Sequence, residues 1–124
     1  NYTVNADASA TIGSIEAKAL TASLTGGVAK TYDGTTAAML TGGNYALAGM
    51  VAGDAVALNN PISGSYDTKN VGTAKTVSVG NLALTGGDAS NYTVNTSASA
   101  AIGNIAAKAL TASLTGGVAK TYDG

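Results

Sequence analysis

The sequence predicts an all-β fold: a small immunoglobulin-like β-sandwich that forms one unit of a tandem array. Three observations carry that expectation. Apolar residues alternate with Thr and Ser at period two, the mark of half-buried strands. Turn formers recur every ~8–12 residues between short apolar segments. And the text repeats: residues 1–34 and 91–124 differ at only five positions, so the period is 90 residues.

The first strand is read at Leu20, Ala22 and Leu24, which share one face, with Thr21, Ser23 and Thr25 on the other. Val77 and Val79 alternate in the same way, followed by the pairs Leu82/Leu84 and Tyr92/Val94. Between such segments lie Gly26-Gly27, Asp33-Gly34, Gly42-Gly43, Gly53-Asp54, Asn59-Asn60-Pro61, Asn70-Val71-Gly72 and Gly86-Gly87-Asp88. Gly, Asn and Asp tolerate the positive φ that tight turns require. The best helical candidate is one turn over Tyr45–Val51, which would suit the alternative architecture, a β-grasp-like unit with one short helix. Asp88 stands four residues before Tyr92, where an immunoglobulin-like domain places a tyrosine corner. In that geometry the Tyr92 ring enters the core and its hydroxyl bonds backbone at the Gly86-Gly87-Asp88 turn. The plainer reading is a turn followed by a core tyrosine.

The repeat sets the expected domain organisation. Residues 1–17 are the C-terminal end of a preceding repeat, 18–107 one complete unit, and 108–124 the start of the following one. Ala17–Gly34 returns letter for letter as Ala107–Gly124. The chain is therefore expected to be a window on a longer array, and arrays of domain-sized units serve length, reach and display. The junction from Ile102 to Leu110 has no Pro and no Gly/Ser run, so adjacent units should hold a preferred angle. Residues 1–17, cut off from most of their own unit, should fray in isolation, and order there would imply that they dock on a neighbour or that the chain is one link of a continuous filament.

Composition narrows the function classes. There is no Cys, His, Arg, Trp or Phe, and six lysines face seven acidic residues for a net charge of −1. That balance recommends no nucleic-acid partner. No apolar run reaches the ~18–20 residues of a membrane helix. Hydrophobic residues make up 45% of the chain, enough to argue against disorder and for one small core per unit.

Chemistry-bearing patterns are sparse. Without His or Cys, catalysis would need Ser–Lys or paired carboxylates, and no Ser-x-x-Lys occurs, so no enzyme is expected. Gly72-Thr73-Ala74-Lys75-Thr76 lacks the spacing of a phosphate loop. Asp33, Asp54, Asp67, Asp88 and Glu16 are candidate Ca²⁺ ligands, but none sits in a D-x-D-x-D-G run, and each reads as a turn or cap residue. No cofactor is expected. An intramolecular isopeptide would need a buried Lys beside Asn and a carboxylate, whereas Lys18, Lys30, Lys69 and Lys75 neighbour turns or polar residues. Tyr32-Asp33-Gly34 is a candidate recognition tip, or a turn in which Asp33 accepts backbone N–H bonds and Gly34 supplies positive φ. Asn91 and Asn95 open N-x-[ST] sequons, as does Asn1 in the earlier copy, and are candidate glycosylation sites.

Four stretches bear a resemblance: Lys30-Thr31-Tyr32-Asp33-Gly34-Thr35-Thr36-Ala37-Ala38, Val51–Leu58, Lys69–Val77 and Leu84–Thr93. Together they resemble the YDG-type repeat of large bacterial adhesins and filamentous-haemagglutinin-like surface proteins, across one whole unit. The sequence departs at the junction, where Ala17 and Ala107 stand in place of the family's frequent Pro before Lys18 and Lys108. The resemblance implies a secreted, surface-attached protein of large size, with no catalytic residues to carry over. The expected function is a structural module giving length and stiffness to a shaft, with neighbouring repeats as partners. Two alternatives differ in class: a glycan- or protein-binding module working through avidity, and a self-assembling fibre or biofilm matrix subunit joined through strand edges. No aromatic cluster marks a sugar platform, since the tyrosines are scattered.

Overall fold

A computed structural model describes residues 6–122 and residue 124. The Asn1 sequon lies outside the described residues. Ten strands follow in order: β1 (Lys18–Leu24), β2 (Val28–Thr31), β3 (Ala37–Met39), β4 (Tyr45–Ala48), β5 (Ala57–Leu58), β6 (Ser63–Tyr66), β7 (Gly72–Val79), β8 (Leu84–Thr85), β9 (Tyr92–Val94) and β10 (Ala98–Ala106). Two 3-10 turns, Gly42–Asn44 and Ala89–Asn91, precede β4 and β9. The fold is all-β, a small immunoglobulin-like sandwich.

The strands form a three-stranded sheet (β4-β1-β9), a five-stranded sheet (β2-β10-β7-β6-β3) and a small pair (β5-β8). Between them lies one core of Ala22, Leu24, Val28, Ala38, Leu40, Leu58, Tyr66, Val77, Val79, Leu82 and Ile105. Leu20, Ala22 and Leu24 are buried on a single face of β1, as period-two alternation requires. Val77 is fully buried at the centre of the larger sheet.

Two parallel pairings organise the chain path. β1 lies beside β9 with Lys18 opposite Tyr92, and β2 lies beside β10 with Thr31 opposite Ala106. The chain leaves β1 through Gly26, at φ 79°, and enters the other sheet as β2. β9 and β10 make the same change of sheet alongside it.

One expectation is corrected here. The helical turn proposed over Tyr45–Val51 is a strand: Tyr45–Ala48 pairs antiparallel with β1, Leu24 opposite Tyr45. The turn sits just before it, because the buried Asn44 closes that bend. Its Oδ1 accepts from the Thr41 N–H at 3.0 Å, and its Nδ2 donates to the Thr25 carbonyl at 3.0 Å. A β-grasp unit would need a helix packed across the sheet, and the described residues form only the two 3-10 turns.

The N-terminal flank lies outside the sheets. Residues 6–17 are exposed and form no strand, and Ile12 and Ile15 are 89% and 100% exposed. Residues 8–16 nearly repeat the text of β10, where Ile105 is 2% exposed. A strand needs at least one hydrogen-bonded neighbour, and β10 has β2 and β7.

Candidate functional site

The Tyr32-Asp33-Gly34 segment joins β2 to β3. Asp33 Oδ1 accepts three hydrogen bonds: from Lys30 Nζ at 2.8 Å, from the Thr35 N–H at 3.0 Å and from Thr35 Oγ1 at 2.9 Å. Gly34 takes φ 78°, which a side chain rarely adopts. The Lys30 ammonium, hydrogen-bonded to Asp33, holds the carboxyl down at about 2, with help from Thr35. Lys30 also lies 5.3 Å from the centre of the Tyr66 ring, whose hydroxyl donates to the Asn104 carbonyl. Burial pushes the Tyr66 phenol above its ordinary range. This turn is internally satisfied and ties β2 to β6 and β10.

Tyr92 is the second focus. Its ring is buried, but its hydroxyl does not bond backbone at the Gly86-Gly87-Asp88 turn. It donates to the Asp54 carboxylate and accepts from the Val51 N–H at 3.0 Å. The hydrogen bond that the phenol donates to the Asp54 carboxylate holds its proton, and with burial this raises its pKa. Asp88 acts in parallel. Its carboxylate accepts from the Ala55 N–H at 2.7 Å and its own N–H donates to the Ala55 carbonyl at 3.1 Å. Tyr92 and Asp88 therefore clamp the Val51–Ala55 loop rather than closing a local corner. Gly86 permits the contact, since a Cβ there would lie 2.2 Å from the Ala55 carbonyl oxygen.

The two sequon asparagines differ in role. The Asn91 side chain is exposed in the 3-10 turn before β9. The Asn95 side chain is engaged: Oδ1 accepts from the Ala22 N–H at 2.7 Å, and Nδ2 donates to the carbonyls of Ala22 at 2.9 Å and Ser97 at 2.7 Å. Its amide stands in for a peptide group and continues the β1–β9 ladder past Leu20 and Val94. A sugar on Nδ2 would remove one of its two donors. Sequence reasoning singled out Asn95 for its sequon and missed this clamp, because the bonded residues are 73 positions apart.

The other candidate ligands are already bonded. Asp67 accepts from the Thr68 N–H at 2.7 Å and pairs with Lys75 at 3.1 Å, and both contacts lower its pKa. Among the described residues, no three acidic side chains gather as a metal-binding group. No described helix is long and apolar enough to cross a membrane. A cleft of about 400 Å³ lies where the chain leaves β10, between Tyr32, Asn70 and Val71 on one side and Ala107, Lys108 and Leu110 on the other. A smaller one sits where the chain enters β1, between Ile15–Ala17 and Ser90–Asn91. Both clefts lie where the chain enters or leaves the sandwich.

Comparison with known proteins gives one match. The family model described as the YDG domain covers residues 16–100, more than half of the chain. This corrects the resemblance drawn from the sequence: the matched family is the YDG domain, and the finding does not carry the assignment to bacterial adhesins or filamentous-haemagglutinin-like proteins. A domain of that name, also called SRA-YDG, is known for binding DNA and methylcytosine. No curated protein and no solved structure matches.

Proposed function

The chain belongs to the YDG domain family, and we propose that it is a structural repeat module that gives length and stiffness to an extracellular filament. One observation carries this reading. β10 ends at Ala106, and the text of β1 begins again at Lys108, so a single residue, Ala107, separates two units. A one-residue joint has two soft dihedrals and leaves adjacent units little angular freedom. The self-satisfied turns favour the same reading. Asp33, Asp54, Asp67 and Asp88 each bond groups of their own unit and offer no convergent set of ligands.

A DNA-binding reading would need a basic stripe to neutralise phosphates. This chain carries a net charge of −1. Lys30 and Lys75 are paired with Asp33 and Asp67.

Small-angle scattering on arrays of increasing unit number tests the proposal. Maximum dimension should grow linearly, by about 35–45 Å per unit for a compact domain of this size. Growth only as the square root of unit number would mean flexible joints and defeat the stiff-shaft reading. A gel-shift titration with methylated and unmethylated duplexes tests the DNA reading. Salt-sensitive binding that prefers the methylated duplex would replace the structural role.

A further inference from the structure

The folded unit carries exposed apolar side chains where the chain leaves it and where the chain enters it. At the exit, β10 runs out between β2 and β7. The Tyr32 N–H donates to the Ala106 carbonyl at 2.8 Å, and Gly72 stands opposite Ile105. Tyr32 and Val71 therefore flank the departing chain on its two sides. Tyr32 is half-buried, and Val71, in the turn between β6 and β7, is 54% exposed.

At the entry, β1 starts between β4 and β9. The antiparallel register of β1 and β4 runs on past Thr21 and Ala48 to Gly49, where a Cβ would lie 3.3 Å from Leu20 Cδ2. Met50 and Val51 come next. The bond from the Val51 N–H to the Tyr92 hydroxyl holds them at the start of β1, since Tyr92 stands opposite Lys18. Their side chains are 42% and 51% exposed.

The repeat brings the two places together. Lys108 carries the text of Lys18, so a single residue lies between Ala106 of one unit and the first strand of the next. Consecutive Cα atoms are about 3.8 Å apart, which leaves Ala106 and Lys108 no more than about 7 Å from each other. Side chains that flank the one must then meet side chains that flank the other. The approach begins within the described residues, where Lys108 and Leu110 line a cleft with Tyr32 and Val71.

We propose, resting on the reading of Lys108 as the start of a following unit, that Tyr32 and Val71 of one unit pack on Met50 and Val51 of the next. The joint is then an apolar interface between copies of this module, and that interface fixes its angle. Four such side chains would not hold separate molecules together, because stable interfaces bury well over ~1,000 Å². Covalent linkage removes that demand: a one-residue tether makes the contact intramolecular, at an effective concentration on the order of millimolar or above.

The test extends the 124-residue chain by a further copy of residues 35–107, which completes a second unit. Val71→Asp in the first unit faces the joint, and the same change in the second unit faces solvent. For Met50→Asp the order is reversed. Both side chains lie at the surface of their own unit, so every variant keeps its fold. The joint-facing changes should each lower the urea midpoint by about 0.5–1 M, and the solvent-facing ones should leave it unchanged. The two joint-facing changes together should lower it by less than their sum, because they break one shared contact. Four silent variants, or effects that do not depend on which unit carries the change, would overturn the proposal. Silent variants in arrays whose length still grows linearly would overturn this packing alone, since a one-residue joint can be stiff without it. Methyl-selective DNA binding would defeat the shaft reading and leave the position dependence of the melts standing.

Discussion

At the scale of single residues, the decisive groups bond to distant partners. Tyr92 could be read from the sequence as a core tyrosine, because it opens a strand after a turn. Its hydroxyl partners could not, since Asp54 and Val51 lie 38 and 41 positions upstream. Tyr92→Phe keeps the ring but leaves the Val51 N–H and the Asp54 carboxylate without it. The melting midpoint should fall by roughly 8–16 °C, the equivalent of two hydrogen bonds of about 1 kcal/mol each in a small domain. Tyr92→Ala should abolish cooperative melting. A silent Tyr92→Phe would mean that the clamp is not formed in solution. Asp33 supplies the pH dependence. Its carboxyl is lowered from 3.8 to about 2 in the folded chain. A depressed folded pKa gives stability that is present above the unfolded value and is lost as pH falls through the folded one. Melting temperature should therefore drop between about pH 4 and pH 2. Asp33→Asn should flatten that limb, with Asp67 contributing what remains in the same direction. An unchanged acid limb in Asp33→Asn would assign it to other carboxylates.

At the scale of elements, the repeat supplies internal controls. Gly103 lies in β10 where the register shifts, beneath Tyr66 and Val77. A Cβ there would sit 2.6 Å from Tyr66 Cε1 and 2.7 Å from Val77 Cγ2. Gly103→Ala should cost about 1–3 kcal/mol through overpacking. Its counterpart Gly13 has nothing within 4 Å, so Gly13→Ala should be silent in the same denaturant titration. Equal effects at both positions would show that the flank is structured as β10 is. The asparagines make a second contrast. Asn95→Ala strips the β1 backbone at Ala22 of two bonds and should cost about 1–3 kcal/mol. The exposed Asn91→Ala should stay within about 0.5 kcal/mol. Reversal of that order in urea titrations would remove the clamp assigned to Asn95.

At the scale of the whole molecule, stability comes from one core shared by the two larger sheets, with no described cluster of metal ligands to supplement it. Thermal midpoint should therefore be the same in EDTA and in millimolar Ca²⁺. A rise of many degrees with Ca²⁺ would reveal a metal site that forms only between units. The two junction clefts are where such a site would have to form, and they bring only Glu16 and Lys108 as charged groups.

Much of this was legible in the sequence. Period-two alternation identified the buried faces of β1 and β7, and the Gly and Asp pairs marked the turns. Tyr45–Val51 misled because helix and strand texts look alike over so short a run, and pairing with β1 decided it. The sequence by itself determined the textual repeat and the residues suited to a strand. Only the tertiary structure decided which copy of that text becomes one. Lys18–Leu24 is a buried strand, and the same seven letters at Lys108–Leu114 are exposed and form none. A strand's hydrogen bonds and apolar face are completed by segments far away in the chain, so its formation is not a local property of its letters.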